Sequence, residues 1–164
     1  MSRKKDSMVK WMLNRVGKAL RIITDDEKKK IAIIIDGPTI LPDFDLRKLK
    51  KITDSLIEIG VTRAGKIITD KQLSQDESEL INSFGFHEEI VGSDVDIHVA
   101  ITALEYMNSK TIDIIGIGTT DPGLFPIFSQ IKQNKQLLII SWQKNVTPAM
   151  EAIADFVLDL DYLE

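Results

Sequence analysis

Four aspartates stand where an α/β chain does chemistry: Asp36 after the run Ile31-Ala32-Ile33-Ile34-Ile35, Asp94 and Asp96 in Gly92-Ser93-Asp94-Val95-Asp96, and Asp121 in Thr119-Thr120-Asp121-Pro122. Each falls at the C-terminal end of an expected strand or the first turn of the following helix. In an open parallel sheet such positions share one edge, so residues far apart in sequence converge there. Carboxylates brought together repel unless a cation separates them. A hard ion such as Mg²⁺ suits oxygen ligands and keeps waters that can attack a phosphate ester. The chemistry these acids suggest is therefore metal-assisted phosphodiester hydrolysis. Each acid also has a structural alternative: Asp121-Pro122 and Asp94/Asp96 suit helix starts, and Asp36 suits a Gly-Pro turn.

The elements that would position them alternate in type along the chain. Ile31–Ile35, β-branched throughout apart from Ala32, reads as a strand buried on both faces and halted by Gly37-Pro38. A helix from Asp45 to Ile59, a strand over Val61–Thr69, a helix over 71–84 and a strand over Phe86–Val91 follow. The next helix opens at Gly92-Ser93-Asp94; its Ile97, Ala100, Ile101 and Leu104 side is more apolar than the side carrying Val95, Val99, Thr102 and Tyr106. Then come a strand over Ile112–Ile117, a helix from Pro122 to Gln133, a strand over Leu137–Ile140, a helix from Val146 to Ala154 and an edge strand over Phe156–Leu158. Such alternation predicts right-handed crossovers and a mostly parallel sheet with helices on both faces.

The 164 residues, 43% of them apolar and 28% charged, suit one globular domain behind a short leader, residues 1–29, with the domain at 30–164. With no cysteine and no apolar run longer than five residues, the expectation is a soluble, cytoplasmic protein without disulfides, thiolate metal sites or a transmembrane segment. The net charge of −4 conceals an asymmetry: residues 1–24 hold seven basic residues against one acid, the remainder 14 basic against 24 acidic. Val9, Leu13, Val16, Leu20 and Ile23 place one apolar face on a helix over residues 7–23. Lys10, Trp11, Arg15 and Lys18 make it a candidate contact for nucleic acid. The same helix also suits a protein partner, a homodimer or packing on its own domain.

The segments Ile35-Asp36-Gly37-Pro38, Gly92-Ser93-Asp94-Val95-Asp96-Ile97 with Ala103-Leu104, and Thr119-Thr120-Asp121 with Phe125-Pro126 together resemble the NYN domain, the LabA-like members of the PIN nuclease superfamily. The resemblance spans about residues 30–160 and is carried by the order and separation of the segments. It implies a PIN-like three-layer α/β/α sandwich and a ribonuclease site in which Asp36, Asp96 and Asp121 hold Mg²⁺ or Mn²⁺. Asp94 is an extra acid for the metal, and Thr39, Thr119 and Thr120 offer supporting hydroxyls. The chain departs from the family pattern at Thr39, where Asn is common, at Thr102, where a further acid is common, and at Gly123, where a second acid is common. Those departures keep open the alternative of a catalytically weak or inactive RNA- or protein-binding regulatory module.

Other motifs fit less well. In Gly116-Ile117-Gly118 the third glycine of a dinucleotide loop is replaced by Asp121, whose charge would oppose a pyrophosphate. Asp36 with Thr39 resembles the nucleophile loop of haloacid dehalogenase phosphatases, but Pro38 replaces its second acid. His98, one turn after Asp94, and His87 are further polar candidates. Trp142 reads as packing at a sheet end.

Overall fold

The computed structural model describes residues 28–163. Six strands, β1 (Lys30–Asp36), β2 (Val61–Thr69), β3 (His87–Ile90), β4 (Ile114–Gly118), β5 (Gln136–Ser141) and β6 (Phe156–Asp159), pair in the order β3-β2-β1-β4-β5-β6. Every pairing is parallel. Crossovers come from α1 (Gly37–Ile40), α2 (Arg47–Ser55), α3 (Gln75–Ser83), α4 (Val95–Met107), α5 (Phe125–Asn134) and α6 (Pro148–Ile153).

Strand side chains alternate between two cores. Ile31, Ile33 and Ile35 face Leu49 and Ile52 of α2 and Ile81 of α3. Ala32 and Ile34 face Val99 of α4, Phe128 of α5 and Met150 of α6. The result is a three-layer α/β/α sandwich whose central strands are apolar on both faces, as the isoleucine run requires. Each fully buried aliphatic removed from water adds about 1.5–3 kcal/mol before conformational entropy is set against it. Among the described residues no helix is long and apolar enough to cross a membrane.

The order of elements matches the sequence expectation, and the boundaries shift for local reasons. α2 stops at Ser55 rather than Ile59, where the Thr53 and Ser55 hydroxyls donate back to the carbonyls of Lys50 and Lys51 at 2.9 and 2.8 Å. α3 starts at Gln75 because Ser74 and Glu77 form a reciprocal capping box. Gly37-Pro38 begins the one-turn helix α1 directly from β1 rather than a loop. Among the described residues the first 27 do not appear, so the expected helix over 7–23 and its Lys10, Trp11, Arg15 and Lys18 lie outside them.

Candidate functional site

The strand order reverses between β1 and β4, the switch point at whose C-terminal ends open α/β sheets commonly bind ligands. β1 ends there in Asp36, only 3% exposed. Asp36 stands two residues after Ile34 and directly before α1, so alternation turns it toward the α4–α5–α6 face. β4 runs into Thr119, fully buried, on the same face. Thr119 Oγ1 donates to Asp36 Oδ2 at 2.9 Å and accepts the Asp121 N–H at 3.0 Å. Thr39 Oγ1 accepts the Thr120 N–H at 3.2 Å and lies 3.4 Å from the Asp36 carbonyl, to which it donates. Thr39 and Thr119 thus lock the tip of β1 to the loop after β4.

Asp121 serves two ends. Its Oδ1 accepts the Gly123 N–H at 2.7 Å, capping a short 3-10 turn over Pro122–Leu124, as the Asp-Pro pair suggests. Its charge also reaches Asp36. Burial pushes the Asp36 carboxyl above the usual carboxylate range; hydrogen bonds from Thr119 and Thr39 hold it partly back, and the Asp121 charge pushes it further up. A buried acid beside a second acid is the arrangement that a cation relieves.

Asp94 and Asp96 lie at the start of α4, both exposed. Asp94 adopts a left-handed conformation (φ 54°) and accepts a hydrogen bond from Ser93 Oγ at 2.9 Å. Among the described residues no three His, Asp or Glu side chains gather in a group able to hold a metal ion, so neither Asp94 nor Asp96 completes a trio with Asp36 and Asp121. His98 does not meet the Asp94 side chain; its Nδ1 pairs with Glu89 Oε1 at 3.0 Å, while Lys66 Nζ takes Glu89 Oε2 at 2.9 Å. The Lys66 contact holds the Glu89 carboxyl below its usual range against the opposing effect of burial. Thr102 is buried on the sheet side of α4. Trp142 packs against the α2–α3 core with Lys48 Nζ 4.9 Å above its ring.

Ser141 escaped the sequence reading. It ends β5 on the same sheet face as Asp36 and Thr119, is fully buried, and its Oγ has no hydrogen-bond partner among the described residues. The available signal was a single hydroxyl closing the apolar run Leu137–Ile140 beside β4. The glycines of the supposed dinucleotide loop have a packing reason instead. A Cβ on Gly116 would come within 3.0 Å of Leu138 Cδ2, and one on Gly118 within 2.7 Å of Ile35 Cδ1.

The donor set at this corner is two carboxylates with neighbouring hydroxyls, all of them oxygen and so of the type a hard cation prefers. Mg²⁺ is commonly held by one or two carboxylates, with water and phosphate oxygens filling the other positions.

No protein-family model matches the chain. Over 133 residues it is 30% identical to Uncharacterized protein MJ0482 of Methanocaldococcus jannaschii, a match covering 80% of this chain and 55% of that protein. The chain therefore spans about half the length of the curated relative it matches. In the solved structures, a protein of unknown function from Vibrio parahaemolyticus, VPA0982, shares the fold, with a TM-score of 0.68 at 16% identity over 83% of this chain and 95% of that one.

Proposed function

We propose that this chain is an NYN-type, metal-dependent ribonuclease acting in the cytoplasm, with Asp36 and Asp121 as the acids of its hydrolytic corner. The observation that carries the reading is the Asp36–Thr119–Asp121 linkage. It sets a desolvated carboxylate beside a like charge at the switch point of a parallel sheet. Asp36 and Asp121 would hold Mg²⁺ or Mn²⁺, with the exposed Asp94 and Asp96 adding negative charge from the α4 side. A bound ion supplies charge neutralisation for the phosphodiester and a more acidic water.

The protein's own groups do the positioning. Thr119 fixes the Asp36 oxygen that it touches, leaving the carboxylate one orientation. Thr39 keeps α1 and the loop after β4 in register, and Thr120 brings its hydroxyl to the same loop. Burial of Asp36 excludes water from one side and strengthens its interaction with any cation on the other. The cations of Lys10, Arg15 and Lys18 supply the phosphate contacts, and the ring of Trp11 the base contact, that an acidic body lacks.

One observation favours a second reading. With no three-carboxylate group among the described residues and one Asp121 oxygen committed to Gly123, the corner suits a module that binds RNA without cutting it. A single assay separates the two. The full chain is incubated with labelled single-stranded RNA in Mn²⁺, Mg²⁺ or chelator, beside Asp36→Asn and Asp121→Asn. Cleavage that needs the metal and disappears in both folded variants supports the nuclease. Binding without cleavage under every condition leaves only the module.

A further inference from the structure

α4 is apolar on two sides. Val99, Thr102 and Ala103 are buried against the sheet, yet Ile97, Ile101 and Leu104 remain 54%, 49% and 45% exposed. Spaced i, i+4, i+7, these three form one continuous ridge. Single exposed aliphatics are ordinary, but three in one row on a helix whose other side is already buried leave a second apolar face for a partner to cover.

We propose that residues 7–23 of the same chain dock on this ridge as a helix, with Leu13, Val16 and Leu20 of its apolar face set against Ile97, Ile101 and Leu104. The inference does not depend on RNA cleavage.

Charge selects the occupant. α4 carries Asp96 and Glu105, is preceded by Asp94, and has no lysine or arginine, whereas residues 1–24 hold seven basic residues against one acid. A second copy of the domain would set these acids against their own counterparts across a two-fold axis, which opposes that occupant.

Reach agrees. The chain enters β1 beside the segment that leaves α4: the Lys30 N–H donates to Asp113 Oδ2 at 2.8 Å, and Lys28–Lys30 line a cleft with Lys110–Asp113. Six residues, 24–29, span up to about 20 Å when extended. Leu13 to Leu20 span about 10 Å on a helix, the length of the ridge from Ile97 to Leu104. Entering from the C-terminal end of α4, the docked helix runs parallel to it and carries Arg3, Lys4 and Lys5 toward Asp94 and Asp96. Trp11 and Lys18, opposite the apolar face, then point outward.

The chain has no cysteine, so an introduced pair reports cleanly. Val16→Cys with Ile101→Cys is oxidised beside a control pairing Lys18→Cys with Ile101→Cys. A disulfide needs Cα atoms within about 7 Å. The expected result is an intrachain disulfide in the monomer, forming several-fold faster than in the control. Crosslinks only between chains, or a rate equal to the control, overturn the proposal. As a measurement free of added cysteines, limited trypsin digestion compares the native chain with Ile101→Asp. Cleavage within residues 3–21 is expected to be several-fold faster in the variant, with the domain intact. Equal rates overturn the proposal.

Discussion

At the scale of the residue, the proposed role of Asp36 sets stability against function. Its folded-state pKa lies above the ordinary value of 3.8, chiefly through burial. An acid so shifted favours folding in its protonated form, so its contribution falls as pH climbs through the usual carboxylate range and stays low beyond the folded pKa. Asp36→Asn cannot ionise and keeps an acceptor for Thr119. Its melting temperature is expected to exceed that of the metal-free native chain at about pH 8, with the gap closing at about pH 4. The same variant is expected to lose at least about 100-fold in metal-dependent RNA cleavage, since even outer partners of a metal site are worth 10–100-fold. Equal melting temperatures at both pH values would mean that the Asp36 charge carries no desolvation penalty. Thr119→Val keeps the shape but removes the bonds to Asp36 and Asp121. A loss of about 1–3 kcal/mol in denaturant unfolding is expected, because a buried acceptor is left unpaired.

At the scale of the element, the site depends on how closely α1 approaches β2. A Cβ on Gly37 would come within 2.8 Å of the Ile68 carbonyl oxygen and 3.1 Å of Thr69 Cβ, and backbone cannot swing aside as a side chain does. Gly37→Ala is expected to destabilise by about 1–3 kcal/mol, measured by urea unfolding, and to weaken Mn²⁺ binding by displacing the tip of β1. Here the legibility of the sequence can be judged. The isoleucine run announced a central strand because nothing but a doubly covered position accommodates five consecutive buried aliphatics. Asp36 and Asp121 were legible as strand-end acids for the same reason. The Ser74–Glu77 capping box was written in the sequence and passed over in favour of the apolar spacing. The inward side of α4 was not legible: its more apolar side, Ile97, Ile101 and Leu104, faces out, because the small Ala103 and the slim Val99 and Thr102 fit closer to the sheet. Nor could spacing tell that His98 turns to Glu89 rather than Asp94, since partner choice there depends on how β3 lies beside α4.

At the scale of the whole molecule, the division into an acidic body and a basic leader makes a prediction about salt. If Lys10, Arg15 and Lys18 touch RNA phosphates, removing residues 1–24 should flatten the plot of log affinity against log salt by about 0.7 per lost phosphate contact. An unchanged slope in filter binding would assign the RNA contact to the domain alone. The linkage at the heart of the site has one more consequence. Asp36 and Thr119 are 83 residues apart in the chain, yet one hydrogen bond joins them. A polypeptide emerging from the ribosome therefore carries its first acid long before the loop that orients it. Until the fourth strand slots beside the first, Asp36 lacks the hydroxyl that orients it, so the corner is completed only in chains synthesised past residue 119.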